Sequence, residues 1–337
     1  MYEHYYNLTG KPFQLNPDPA FFYGSRGHSR AMAYLEYGVH QGEGFIVITG
    51  EVGAGKTTLV RNLFEHLDRD KLRAVQLVST QLNADDMLRA VCAAFGLPDE
   101  GTKASLLRNL EAHLLDCQRE GKRALLVVDE AQNLAPSAVE ELRMLSNFQT
   151  RWGALLQSFL LGQPEFRETL QSPSMRQLRQ RVTATYHLGP MDAEETRAYI
   201  EHRLRRVDWK DFPAFTADAF HALHEATRGI PRRINTLCDR LMLMGFLEEL
   251  REFDEDAVAE VVREMEQDFN APRTFADVGE SATEGFSGDA INGAGDPGLT
   301  AGLERLDARV SRLERYVVYT SKLSRQILTM VNRRKPA

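Results

Sequence analysis

Three things are scarce in this chain of 337 residues: cysteine, long apolar runs and positive net charge. The three cysteines, Cys92, Cys117 and Cys238, are widely spaced and outside any C-x-x-C pattern. That disfavours a disulfide framework or a thiolate metal site, and the expectation is buried free thiols in a reducing cytoplasm. No apolar run reaches the length needed to span a bilayer. The first six residues, Met1 to Tyr6, lack a basic stretch followed by an apolar one, so no secretion signal is read there. The formal net charge of −7 argues against sequence-independent nucleic-acid binding by the whole surface, and leaves room only for a local basic patch such as 203–206. No repeat of solenoid period is visible. The length suffices for two cores and a tail.

What is present is more specific. Directly after the apolar run 44–49 the chain reads Gly50-Glu51-Val52-Gly53-Ala54-Gly55-Lys56-Thr57-Thr58, which matches G-x-x-x-x-G-K-[ST] between a strand and a helix. Glycines at 50, 53 and 55 permit backbone angles that turn N–H groups inward around phosphate oxygens. Residues 57–67 carry apolar side chains at helical spacing, and the start of that helix points a partial positive charge at the phosphates. Lys56 is expected to reach the β and γ phosphates of ATP, and the Thr57 hydroxyl to ligate Mg2+.

From 44 to 189 short apolar runs alternate with helical patterns. Strands are predicted over 45–49, 74–79, 124–129, 157–161 and 183–188, and helices over 56–67, 84–95, 103–120, 137–147 and 164–171. Such alternation predicts an α/β core with a parallel sheet covered on both faces. Residues 1–43 form an aromatic-rich N-terminal segment ending in a helix near 29–40. After Pro190 the strands stop. Asp192 three residues before Glu195 makes a capping-box-like start to a helix through about Arg206. Further helices over 216–227, 231–247 and 254–270 complete an all-helical region, 190–270. Residues 271–300 hold six glycines, five acids and one arginine, the composition of a flexible linker. The last stretch, 301–337, is amphipathic over 301–333: a coiled coil, a helix docking back on the core, or one that binds a partner.

The apolar run 125–128 ends in Asp129-Glu130-Ala-Gln132. A carboxylate there can hold magnesium through a water, and a second can polarise the attacking water; Asp129 is assigned the first role and Glu130 the second. The order of Gly50–Thr57, Asp129-Glu130-Ala-Gln132, the Gly-Gln163-Pro-Glu165 segment and the Gly229-Ile-Pro-Arg232 segment resembles the AAA+ ATPases of the ExeA/GspA secretion group. The opening, with Pro12-Phe13, Asn16-Pro17-Asp18-Pro19 and Gly42–Thr58, resembles that group closely, and within it the chain most resembles the branch from exosortase and exopolysaccharide loci, the PEP-CTERM-associated secretion ATPases. The resemblance covers about residues 1–270.

That resemblance implies a P-loop AAA+ core, an all-helical lid and a C-terminal amphipathic helix. It places Gln163 as the sensor-1 residue near the γ-phosphate, Arg232 as the sensor-2 arginine of the lid with Arg233 as its neighbour, and Arg181 as an arginine finger acting on a neighbouring subunit. Arg176 and Arg179 lie close enough to compete for the finger role. The implied activity is ATP hydrolysis by a homo-oligomer, in the cytoplasm, at the inner face of an export or polysaccharide-assembly system. ExeA-type members continue into a membrane span and a periplasmic glycan-binding region, where this sequence has an acidic linker and an amphipathic helix. Three readings stand beside it: a DNA-linked transposition ATPase of MuB or TniB type, a helicase, which would need a second RecA-like domain, and a nucleotide-gated scaffold with little turnover.

Overall fold

The computed structural model describes residues 1–68, 70–78 and 82–270. The proposed linker, the amphipathic segment and Ser79 of the second predicted strand lie outside the described residues. The chain divides into two units, of which the first is Met1–Phe269.

The elements run α1 (Tyr2–Tyr5), α2 (Arg26–Gln41), β1 (Phe45–Gly50), α3 (Lys56–His66), β2 (Leu72–Val78), α4 (Ala84–Ala94), α5 (Lys103–Arg119), β3 (Arg123–Asp129) and α6 (Pro136–Leu145). A hairpin follows, β4 (Gln149–Thr150) and β5 (Gly153–Ala154), then β6 (Leu156–Gly162), α7 (Pro164–Gln171), α8 (Arg176–Arg179) and β7 (Val182–Leu188). The remainder is α9 (Ala193–Arg205), β8 (Ala214–Phe215), α10 (Ala217–Thr227), α11 (Pro231–Leu247), β9 (Glu252–Phe253) and α12 (Glu255–Asn270).

Five strands make one parallel sheet in the order β2-β3-β6-β1-β7. Successive side chains of a strand point to opposite faces, and here both faces are buried. Val47, Leu126 and Leu160 enter the core under α4, α5 and α6, while Ile46, Ile48, Leu125, Val127 and Phe159 enter the one under α2 and α3. That is why these strands read as continuous apolar runs. At Gly38, α2 comes so close to the sheet that a Cβ would stand 2.5 Å from Ile46 and 2.9 Å from Phe159.

Local chemistry fixes the helix ends. Ser25, Asn83, Thr102 and Thr216 cap α2, α4, α5 and α10 by accepting from an amide three residues on. The expected capping box of α9 is present, with Glu195 N donating to Asp192 and Asp192 N donating back to Glu195. Pro136, Pro164 and Pro231 open α6, α7 and α11, where a missing N–H costs nothing.

Two expectations need correction. Strands do not stop at Pro190: β8 and β9 form a short parallel pair, Ala214 with Glu252 and Phe215 with Phe253, so the region is not all-helical. Two-residue strands separated by the 36 residues 216–251 carry no alternation for a sequence to show. The N-terminal helix also starts earlier, at Arg26, because Ser25 rather than a later residue provides the cap. In addition, Tyr2, Tyr6, Leu8 and Phe13 sit in the core of the helical region with Ile200, Leu237, Leu241 and Phe253, away from the sheet. Tyr2 donates to Asp239 of α11 at 2.5 Å. Among the described residues no helix is long and apolar enough to cross a membrane, and all three cysteines are buried and unbridged.

Candidate functional site

In an open parallel sheet, ligands gather outside the carboxyl ends of the strands where the strand order switches. β1 sits at such a point, between β6 and β7. From Gly50 the chain turns through Gly53 (φ +82°) and Gly55 (φ +96°) into α3. Among the described residues the amides of Val52, Gly53 and Gly55 donate to no protein acceptor. The first turn of α3 has no side-chain cap, so its amides are open as well. Free N–H groups at a helix start form an anion cradle.

Lys56 is only 6% exposed. Its ammonium donates to the carbonyls of Gly50 (2.6 Å) and Glu51 (3.0 Å) and has no carboxylate within ion-pair distance among the described residues. Burial pushes its pKa down, partly countered by the fields of Glu130 and Asp129. A buried cation without a counter-ion beside an empty set of amides is a site built for an anion. Val52 stands exposed on the crest of the loop, Ala54 is buried beneath it, and Thr58 lines the cleft.

Across the cleft the Thr57 hydroxyl donates to Asp129 Oδ2 at 2.8 Å. Asp129 is 3% exposed; burial raises its pKa, while the Thr57 hydroxyl and the Glu130 amide, 3.0 Å from Oδ1, pull it down. Thr57 and Asp129 are oxygen donors of the kind that complete a magnesium shell shared with phosphates. No group of three or more His, Cys, Asp or Glu among the described residues is placed to hold a metal. Glu130 adopts left-handed backbone angles (φ 56°, ψ 41°), a strain of about 1–3 kcal/mol for a residue with a side chain. Its Oε2 accepts from Gln132 Nε2 at 2.5 Å and Gln163 Nε2 at 3.3 Å. Gln132 Oε1 accepts in turn from the Gln163 amide at 3.0 Å. Two amide side chains therefore aim one carboxylate. The sequence reading gave Gln132 no role; its two-residue spacing from Glu130 in a 3-10 turn was the available signal.

The helical region after Pro190 enters through main chain. The Arg232 amide donates to Gly53 O at 3.1 Å, and a Cβ on Gly53 would meet the Arg232 Cβ at 2.3 Å. The exposed Arg232 side chain borders the cleft, and Arg233 does not. The far wall comes from a segment that sequence reasoning had not tied to the site, including Gln14, Asp18, Phe22 and Tyr23. Arg203 of α9 holds it in place. This guanidinium is 6% exposed, donates to Pro12 O (2.6 Å) and Tyr199 Oη (2.8 Å), and lies 4.9 Å from the Phe21 ring centre. Tyr199 passes the bond on to Asn235 of α11 at 2.8 Å.

Arg181 is not brought to this cleft. It precedes β7, whose start pairs with the start of β1, and so it lies at the opposite edge of the sheet, roughly 20 Å from the loop at ~3.3 Å per residue. Its guanidinium donates to Ser146 O (3.2 Å), Ser146 Oγ (3.0 Å) and Asn147 Oδ1. Arg179 donates to the carbonyls of Leu170 and Gln171, both at 3.1 Å. Arg176 is exposed.

Residues 39–170 match the family model described as "AAA domain". Over 248 residues the chain is 41% identical to general secretion pathway protein A of Aeromonas hydrophila, an alignment covering 73% of this chain and 45% of that protein. The chain thus spans less than half of that relative's length. Among solved structures it resembles the Aeropyrum pernix ORC2 protein (TM-score 0.57, 19% identity, 75% of this chain and 71% of that one). It also resembles Cdc6p of Pyrobaculum aerophilum (TM-score 0.57, 17% identity, 73% and 70%). At such identities the structural likeness speaks for the fold, and the sequence likeness for the relationship. With an AAA domain, a five-stranded parallel core and a helical region behind it, this chain is similar to general secretion pathway protein A over 248 residues.

Proposed function

We propose that the chain binds ATP with magnesium and hydrolyses it, using the nucleotide state to drive assembly or regulation of a bacterial export system. The observation that carries this reading is the Glu130 carboxylate, held by Gln132 and Gln163 across the cleft from Lys56 and the Thr57–Asp129 pair. A carboxylate fixed by two amides on a strained backbone is arranged to orient and polarise a water, the role hydrolysis requires and mere nucleotide storage does not. Thr57 and Asp129 would hold the magnesium, whose charge supports the β and γ phosphates when bound. Lys56 and the loop amides neutralise the phosphate charge, and Arg232 reaches the nucleotide from the lid. Steady-state phosphate release from ATP by the purified chain, with and without magnesium, tests the reading. Tight ATP binding with no turnover above background would favour the nucleotide-gated scaffold instead.

The export role rests on the 41% identity to general secretion pathway protein A. The narrower assignment, to an exosortase or exopolysaccharide locus, rests on the resemblance of the chain, over about residues 1–270, to that branch of the secretion group. The partners would be inner-membrane export proteins reached from the cytoplasmic side, together with further copies of this chain. Gene neighbourhood separates the possibilities: exosortase and glycan-synthesis genes support the narrower assignment, and transposase genes favour the DNA-linked one. Arg181 is proposed to act in trans, and its bonds to Ser146 and Asn147 would then have to open on assembly.

A further inference from the structure

His28 lies outside the phosphate loop but touches it. It is the third residue of α2, 6% exposed, between capping Ser25 and the loop. Its Nε2 is 3.0 Å from the carbonyl oxygen of Ala54, and its Nδ1 is 2.7 Å from Ser25 Oγ. A carbonyl can only accept, so Nε2 must carry a hydrogen. In the neutral ring Nδ1 then accepts from the Ser25 hydroxyl. Burial favours that neutral form, while Glu195 of α9 is the charged group whose field acts the other way.

The consequence lies at the other end of the same peptide. In a planar trans peptide the C=O and N–H point in opposite directions. Holding the Ala54 carbonyl against α2 turns the Gly55 amide away from α2, and that amide has no acceptor among the described residues. Gly53 and Gly55, on either side of Ala54, have positive φ, which glycine adopts at no steric cost, and the φ of Gly55 is one of the two angles about which the Ala54–Gly55 peptide turns. A Cβ at Gly55 would also stand 2.7 Å from His28 Nε2. We infer that His28 is a positioning residue of the phosphate site: its Nε2–H fixes the Ala54–Gly55 peptide so that the Gly55 amide is presented to a nucleotide phosphate. The inference rests on the nucleotide-binding reading of the loop.

The test compares His28→Met, which keeps bulk but loses the donor, with His28→Gln, whose side-chain amide can replace Nε2–H. ATP and ADP affinities are measured by calorimetry with magnesium, and folding is checked by thermal melting. Loss of one oriented amide donor to a charged phosphate should weaken both nucleotides by roughly 10-fold or more in His28→Met. His28→Gln should stay within about threefold of wild type. The ring tautomer is read independently by nitrogen NMR of the full chain, where Nε2–H is expected in the neutral form. A folded His28→Met with wild-type affinity, a folded His28→Gln that binds as weakly as His28→Met, or an Nδ1–H tautomer each overturns the inference. Should His28→Met not fold, His28→Gln and the tautomer decide. Failure of the wild-type chain to bind ATP would instead remove the nucleotide reading itself.

Discussion

The two edges of one parallel sheet treat positive charge in opposite ways. At the carboxyl edge Lys56 is buried beside open amides, with no carboxylate among the described residues close enough to pair with it. At the amino edge Arg181 and Arg179 are spent on the protein's own carbonyls, hydroxyl and amide oxygens. A cation held without its counter-ion is a stored demand for an anion. A cation with its donors satisfied is an anchor, and must be released before it can serve another molecule. The contrast shows that proximity to a motif is a weaker guide to function than the state of a side chain's hydrogen bonds.

The sharpest way to break the comparison is at the acidic side of the cleft. Glu130→Gln keeps the shape but loses the carboxylate, so ATP should bind while turnover falls by about 10²–10⁴-fold. Unchanged phosphate release would remove Glu130 from the chemistry. Lys56→Ala should weaken ATP binding by roughly 100-fold or more, since at least two charge-assisted contacts go with it. Near-normal affinity by calorimetry would mean that the backbone amides suffice and that the stored charge is not the point. Gln132→Leu leaves the acid in place but frees its side chain. Turnover should drop about 10-fold with ATP affinity little changed, because one of the two side-chain amide hydrogen bonds aiming the carboxylate is lost. A matched fall in affinity would show that Gln132 supports the fold of the cleft rather than the aim of Glu130.

At the other edge the effects are on stability. Arg181→Ala should cost about 1–3 kcal/mol, read as a lower midpoint in urea, because several donors to Ser146 and Asn147 vanish together. Arg176→Ala, at an exposed position, should stay within about 0.5 kcal/mol of wild type. Turnover per subunit across a dilution series then assigns function. A concentration-dependent rise lost in Arg181→Ala supports a trans-acting finger there, and a rise lost in Arg176→Ala moves that role to Arg176. A flat series in the wild-type chain argues for a monomeric switch.

The smallest effect is on pH dependence. Burial holds the His28 and His202 imidazoles below their ordinary value of 6.5, so the unfolded chain binds protons more readily than the folded one. The stability contributed by the neutral rings is complete above that value and is lost as pH falls through the lower folded values. The melting temperature should therefore decline between pH 7 and 5.5, and less steeply in His28→Gln, which does not titrate there. An identical slope in that variant would show that His28 does not contribute to the decline.

These contrasts also mark what the sequence could and could not show. The loop, Asp129, Glu130 and the five-stranded core were legible because their signals are local: a glycine spacing, apolar strands and proline or capping residues at helix starts. The wall made by Gln14 to Tyr23 was not, because it is held by Arg203 and Asn235, some 190 to 220 residues further along. Gln132 was visible as a letter but not as a bridge, since its role depends on β6 lying between β3 and β1 in the sheet. The exosortase assignment and the trans role of Arg181 are not matters of fold, and they stay with the experiments above.

One contact has an odd genetic consequence. The helical region meets the loop at 50–57 through the Arg232 amide and the Gly53 carbonyl, groups that every non-proline residue carries. An alanine scan would score position 232 by its guanidinium alone and pass over this link, because each replacement restores the same donor. A proline there, tolerated in the first turn of a helix, deletes the donor. The difference between Arg232→Pro and Arg232→Ala, rather than either variant alone, is the part of lid docking that no side chain encodes.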